Sequence, residues 1–118
     1  MDAVGPALFP AHDDIERLPY YVLEDDDGAI GFFSFRAIDG QPFLHDLWVD
    51  APRIGRGFGR ILWHAAIAFA AHADYDPFSI ESDPNAEAFY LAMGARRIGT
   101  RISPDSGREL PLLSYRRP

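Results

Sequence analysis

The stretch Ile54-Gly55-Arg56-Gly57-Phe58-Gly59-Arg60 sets three glycines within five residues, between two apolar runs. The run before it, Phe43 to Val49, is short, aromatic and β-branched, and predicts a strand. The run after it, Phe58 to Ala73, is long, alanine-rich and free of glycine and proline beyond Gly59, and predicts a helix. Strand, glycine loop and helix together form a device for holding a phosphate. Glycines let the backbone come close to the anion, and the first unpaired N–H groups of the helix point at it. Glycine loops occur in many settings, so the rest of the chain must decide which phosphate this is.

The 118 residues suit one domain, 1–118, with one core. An apolar fraction of 47% is ordinary for a folded protein. No apolar run reaches the roughly 18–20 residues needed to cross a bilayer, and the first residues lack the basic-then-apolar pattern of a signal peptide. No cysteine is present, which removes a disulfide framework, a thiolate zinc site and a cysteine nucleophile. A soluble cytoplasmic protein is the simplest expectation.

Charge is uneven along the chain. Residues 1–50 carry eleven acids and two arginines, a net of −9, and residues 51–118 carry seven acids and nine arginines, a net of +2. Lysine is absent. A total of −7 argues against nucleic acid as a general partner, which requires a basic footprint. The acidic half either favours a cationic substrate or simply keeps the protein soluble.

In chain order, Pro6, Pro10 and Pro19 punctuate a mixed front in which His12 to Leu18 offers one or two helical turns. Tyr20 to Glu24 predicts a strand, Asp25-Asp26-Asp27-Gly28 a hairpin turn, Ile30 to Ile38 a second strand broken early by Gly31, and Asp39-Gly40 another turn. The aspartates lack the ligand spacing and closing glutamate of a calcium loop. Phe43 to Val49, nearly all apolar, is expected at the centre of the sheet. The 58–73 helix is apolar on most sides, so deep packing is expected. Phe78 to Ser82 is a short strand, and Asp83-Pro84 opens a second helix that Gly94 closes. Ala95 to Ile102 and Leu110 to Tyr115 are the last two strands. The order is β-β-β-α-β-α-β-β, an α/β fold with a mixed, mainly antiparallel sheet flanked by helices. Strand edges at 20–24 and 110–115 would favour a homodimer.

Of two other phosphate-binding classes, one falls away on inspection and the second is left as a minor alternative. A triphosphatase loop needs Gly-x-x-x-x-Gly-Lys-Ser/Thr, which a chain without lysine does not contain. A dinucleotide fold needs Gly-x-Gly-x-x-Gly, and counting from Gly55 puts Arg60 in the place of the third glycine. Three hairpin-linked strands also precede the loop, where such a fold would open on it.

Three stretches together resemble the GNAT superfamily of N-acetyltransferases. They are Leu44-His45-Asp46-Leu47-Trp48-Val49-Asp50-Ala51-Pro52, the loop Gly55 to Arg60 with Ile61-Leu62, and Ser82-Asp83-Pro84-Asn85-Ala86-Glu87-Ala88-Phe89-Tyr90-Leu91-Ala92-Met93-Gly94-Ala95. The family pattern places Gln/Arg-x-x-Gly-x-Gly/Ala after a strand. A helix, another strand and Asn-x-x-Ala-x-x-Phe-Tyr-x-x-x-Gly-Phe follow. The likeness spans roughly residues 20–118, and departs from the pattern at Ile54 and Ala95. It also implies a first strand and two helices before the hairpin, which here would be reduced or absent.

What the resemblance implies is transfer of an acetyl group from acetyl-coenzyme A to the amine of a small molecule, without a metal. The amides of Gly55, Arg56, Gly57, Phe58, Gly59 and Arg60 would hold the pyrophosphate, Arg56 and Arg60 adding charge unless they are merely solvated. The backbone of Leu47, Trp48 and Val49 would line the pantetheine arm and supply an oxyanion donor. Asn85 would contact that arm or simply start the helix. Tyr90 matches the family's general acid, or else packs on the core. For a base, His45, Asp46 and Glu81 compete. Strand alternation allows only one of His45 and Asp46 to face the cleft, and of the candidate bases His45 is preferred, with a purely structural histidine as the alternative. His64 and His72 are packing or surface residues, and no cluster has metal-ligand spacing. The shortened front also leaves open an alternative, a non-catalytic acyl-coenzyme A-binding or protein-interaction module of the same fold.

Overall fold

The computed structural model describes residues 7–12, 19–104 and 106–118. Its strands are β1 (Ala7–His12), β2 (Pro19–Asp25), β3 (Gly28–Ile38), β4 (Gln41–Val49), β5 (Phe78–Glu81), β6 (Arg96–Ile102) and β7 (Glu109–Tyr115). Two helices, α1 (Phe58–His72) and α2 (Glu87–Ala92), flank β5 in sequence. The strands form one sheet in the order β1-β2-β3-β4-β5-β7-β6. Every neighbouring pair is antiparallel except β4 and β5, which run parallel. The mixed, mainly antiparallel architecture is the expected one, and β4 stands at its centre.

The front of the chain holds a strand that the proline-rich reading did not foresee. Pro10 lies inside β1, opposite Tyr21. β1 is an edge strand, and a missing N–H is tolerated where no further strand has to be bonded. The helical turns expected over 12–18 lie outside the described residues, except that His12 closes β1. This strand also corrects the expected edges. Residues 20–24 are covered by β1, and 110–115 lie between β5 and β6, so the edges are β1 and β6.

Both hairpin turns form where the aspartate–glycine pairs stand. Asp39 (φ 53°) and Gly40 (φ 77°) both occupy the left-handed region, the conformation of a two-residue turn whose twist suits the flanking strands. Gly31 does not interrupt β3. It pairs with Leu23 on one side and Val49 on the other, and a side chain there would run into the carbonyl oxygen of Trp48.

One face of the sheet carries the core. Tyr21, Phe33 and Phe35 meet Phe69 of α1, with ring centroids 5.4, 6.3 and 5.4 Å away. Trp63 is buried against Tyr115 (5.0 Å), Tyr90 (5.9 Å) and Phe78 (6.0 Å), so one indole joins β7, α2 and β5. Helix α1 buries Leu62, Trp63, Ala66 and Ala70, a single face at helical spacing. Arg60, Ile61, His64, Ala68 and His72 are exposed, which corrects the expectation of packing on most sides. Alanine is apolar by class but small enough to face water at little cost.

Two irregularities of β4 create the site. Ser34 pairs with Asp46 and Phe35 with Leu44, so His45 is an extra residue, a β-bulge. β4 pairs with β5 only at Phe43–Ser79 and Leu44–Ile80. Beyond the bulge the two parallel strands part.

Candidate active site

The parting of β4 and β5 opens a cleft of about 870 Å³. Leu47, Trp48 and Val49 form one wall, Asn85, Phe89 and Tyr90 the other, and the glycine loop its end. Leu47 and Val49 pair with Phe33 and Gly31 of β3 on one side only, which leaves the β5-facing side of this backbone turned to the cleft.

The loop has the conformation that its glycines predict. Gly55 (φ 89°) and Gly57 (φ 86°) are left-handed, and a Cβ at either would meet nothing within 4 Å, so backbone shape rather than crowding calls for glycine. Gly57 caps α1 without a side-chain hydrogen bond, and the first turn contains no acid. The leading amides of a 15-residue helix are therefore free to meet an anion, with no carboxylate competing for them. Gly59 serves differently: a Cβ there would lie 3.4 Å from Phe89 Cε1, so its absence lets α2 close against α1. The loop is moored upstream, where Arg53 Nη1 donates to Asp25 Oδ2 at 3.0 Å. Desolvation pushes the Asp25 carboxyl up, but Arg53 and the Asp27 N–H outweigh it and hold it below the usual carboxylate range.

Across the cleft, Asp83 Oδ1 accepts from the Asn85 N–H at 2.8 Å, and the Asp83 carbonyl accepts from Ala86 N–H at 2.9 Å. Asp83 thus caps a turn rather than the helix it was expected to open, which starts only at Glu87 with Ala86 as its N-cap. Asn85 is exposed on the cleft wall. Tyr90 is 6% exposed and packed on Trp63 and Phe89. Burial, and then the negative charge of Asp46, push its phenol above the ordinary tyrosine value. The hydroxyl therefore stays protonated through the neutral range and is a donor.

The three candidate bases are separated by the fold. His45 Nε2 lies 3.2 Å from Arg36 Nη1. A guanidinium can only donate, so the Nε2 lone pair is the acceptor. Glu81 is taken up by Arg101, Oε2 to Nε 2.6 Å, in an ionic contact not aligned as a hydrogen bond, and that guanidinium sits 5.5 Å from the Phe43 ring centre. Asp46 Oδ2 accepts from Ser34 Oγ at 2.8 Å. The bulge breaks the strict alternation that would let only one of His45 and Asp46 face the cleft.

Of the residues singled out from sequence, Leu47, Trp48, Val49, Gly55, Gly57, Gly59, Arg60, Asn85 and Tyr90 line the cleft. Arg56, Phe58 and His45 are not among its lining residues; Phe58 packs on the core instead. Ile54 lines the mouth with 67% of its surface exposed. Ala86 and Phe89 also line the cleft, and the helical spacing of Ala86, Phe89 and Tyr90 was the signal available for them. Among the described residues no group of three or more His, Asp or Glu is placed to hold a metal, and no helix is long and apolar enough to cross a membrane.

Compared with solved structures, the chain is similar to a GCN5-related N-acetyltransferase from Rhodopseudomonas palustris, 14% identical over 99% of both chains with a TM-score of 0.77. It is also similar to a GNAT family acetyltransferase from Elizabethkingia anophelis with acetyl-CoA bound, 13% identical over 96% of this chain and 99% of the other, TM-score 0.83. A third likeness is to a Bacillus anthracis protein in complex with acetyl coenzyme A, 17% identical over 86% of this chain and 63% of the other, TM-score 0.72. Among curated proteins none matches the chain in sequence. Residues 2–95 match the model of the acetyltransferase (GNAT) family. With that match over most of its length and this fold around the cleft, the chain belongs to the acetyltransferase (GNAT) family.

Proposed function

We propose that the protein transfers the acetyl group of acetyl-coenzyme A to the amine of a small acceptor. The observation that carries this reading is the single cleft in which the glycine loop, the open backbone of Leu47 to Val49 and the buried Tyr90 hydroxyl-bearing ring stand together. The amides of Gly55 to Arg60 and the Arg60 guanidinium hold the pyrophosphate, with Arg56 adding charge from the exposed loop. The β4 backbone holds the pantetheine arm, and an N–H there meets the oxyanion. Asn85 contacts the arm, and Tyr90 donates to the departing thiolate. On this reading the enzyme is cytoplasmic, and any homodimer would pair through β1 or β6, the strands at the edges.

Titration calorimetry with acetyl-coenzyme A, followed by thiol release in a panel of primary amines, tests the reading. Binding at a one-to-one ratio with turnover of at least one amine is the expected result. No binding, and no thermal stabilisation at millimolar ligand, overturns it, because a ligand of the native state must stabilise the fold. Binding with no turnover of any amine, unaffected by Tyr90→Phe, would favour the non-catalytic module.

A further inference from the structure

Both helices lie on one face of the sheet. Phe33 and Phe35 turn to Phe69 of α1, and Tyr90 of α2 packs on Trp63 of α1. Side chains alternate along a strand, and directly paired residues share a face. Arg36 follows Phe35, so it stands on the opposite face together with Phe43, its partner on β4.

Three arginines among the described residues are half-buried: Arg36, Arg53 and Arg101. Asp25 holds Arg53, and Glu81 holds Arg101. Among the described residues Arg36 is ion-paired to no carboxylate. Its Nη1 meets His45 Nε2 at 3.2 Å, and a lone pair of an imidazole does not offset a full positive charge. The acids on that face are engaged elsewhere. Glu81 is taken by Arg101, whose guanidinium lies 5.5 Å from the Phe43 ring centre. Asp46 accepts from Ser34 at 2.8 Å. A half-buried cation without a counter-ion is costly, and a bound anion would relieve that cost. The guanidinium is a flat fork of several N–H donors, of which His45 takes one.

The position suits a substrate. His45 Nε2 lies 3.2 Å from Arg36 and 3.9 Å from Asp46, and Asp46 immediately precedes Leu47, where the open backbone wall of the cleft begins. A molecule whose nitrogen reaches that wall from this face can rest its other end on Arg36. Residues 1–50 carry a net of −9, which repels anions in general, so Arg36 is the local exception.

Resting on the acetyltransferase reading above, we propose that Arg36 selects the acceptor by gripping a carboxylate, and that the acceptors are accordingly amino acids, with amine and carboxylate a few bonds apart. Two parallel N–H donors of the fork match the two oxygens of a carboxylate, a charge-assisted pairing that lysine does not reproduce. The carboxylate stays on Arg36 while the amine reacts in the cleft, and takes no part in the bond changes. An amine without a carboxylate leaves the guanidinium unpaired and forgoes this contribution.

The test assays the common α-amino acids, β-alanine and γ-aminobutyrate by thiol release from acetyl-coenzyme A, and compares the fastest with its own carboxamide. The carboxamide keeps the shape and loses the charge. It also holds more of its amine unprotonated at neutral pH, so intrinsic reactivity favours it and a preference for the acid reports recognition. Wild type is expected to prefer the acid by roughly 10–100-fold in kcat/KM. Arg36→Gln should collapse that preference, mainly through KM of the acid, and Arg36→Lys should keep only part of it. A merely structural role would lower both acceptors alike. If Arg36→Gln does not fold, the wild-type preference and its partial loss in Arg36→Lys still decide. Turnover of amines with no preference for the acid, or an equal loss on both acceptors in the folded variants, overturns the assignment while the acetyltransferase reading stands. Failure of wild type to bind acetyl-coenzyme A, or binding with turnover of no amine, overturns the reading and the assignment together.

Discussion

Gly31 on β3 and Trp48 on β4 touch backbone to backbone: the Trp48 carbonyl oxygen occupies the place where any side chain on Gly31 would begin, with Leu62 Cδ1 2.9 Å from the same point. A glycine inside a strand is usually a weakness, and here it is the condition for packing β3 and β4 beneath α1. The contact also reaches the site, because Trp48 is part of the cleft wall. Gly31→Ala is expected to cost ~2–4 kcal/mol, since a carbonyl oxygen of the main chain cannot swing aside as a side chain can. Urea unfolding measures the loss, and calorimetry should show weaker acetyl-coenzyme A binding in the fraction that folds. An unchanged midpoint would sink this account of Gly31.

The left-handed Gly57 presents the opposite case, since space around it is open and only its φ of 86° constrains it. Gly57→Ala should destabilise by ~1–2 kcal/mol, and Gly57→Asn by less, because asparagine tolerates this region better. Both variants should bind acetyl-coenzyme A more weakly as the loop relaxes. Equal stability of the alanine variant and wild type would show that strain at the cap is not what requires glycine.

Tyr90 offers a separation of fold from chemistry. Its ring is packed between Trp63 and Phe89, and phenylalanine keeps that ring. Tyr90→Phe is therefore expected to leave thermal stability nearly unchanged and acetyl-coenzyme A affinity within a few-fold, while kcat falls by roughly 10²–10⁴. Steady-state rates together with melting curves decide the matter. A variant as active as wild type would remove Tyr90 from the reaction.

The Asp25–Arg53 pair sets a pH dependence of stability. The folded carboxyl is held below its unfolded value of roughly 4, so the stabilisation is fully present above that value and is lost as pH falls through the lower, folded one. Melting curves should show the difference between wild type and Arg53→Ala shrinking on acidification below about pH 4. A difference that stays constant, or grows, across that range would contradict the assignment of the pair.

Much of this was legible in the sequence because local chemistry decided it. The two aspartate–glycine turns, the glycine loop and the helix after it each require residues that few other conformations select. What was hidden depends on tertiary placement. Pro10 reads as a breaker until β1 is known to be an edge. The position of β7 between β5 and β6 leaves no mark on either strand, so both presumed edges were misplaced. The bulge at His45 is announced by no glycine or proline, and it alone decides how His45 and Asp46 are turned. The apolar count over 58–73 overstated burial because alanine carries little information about which face it occupies.

Joined at only the pairs Phe43–Ser79 and Leu44–Ile80, the sheet is in effect two panels, four strands on one side and three on the other, hinged along a short seam. Past the seam each panel presents main-chain edge to the other, with no strand pairing between β4 and β5 among the described residues. A molecule lying along that gap with amides of its own would act as a lath between the panels. Its arrival should be felt as slowed amide exchange in β4 and β5 at once, far beyond the few residues it touches.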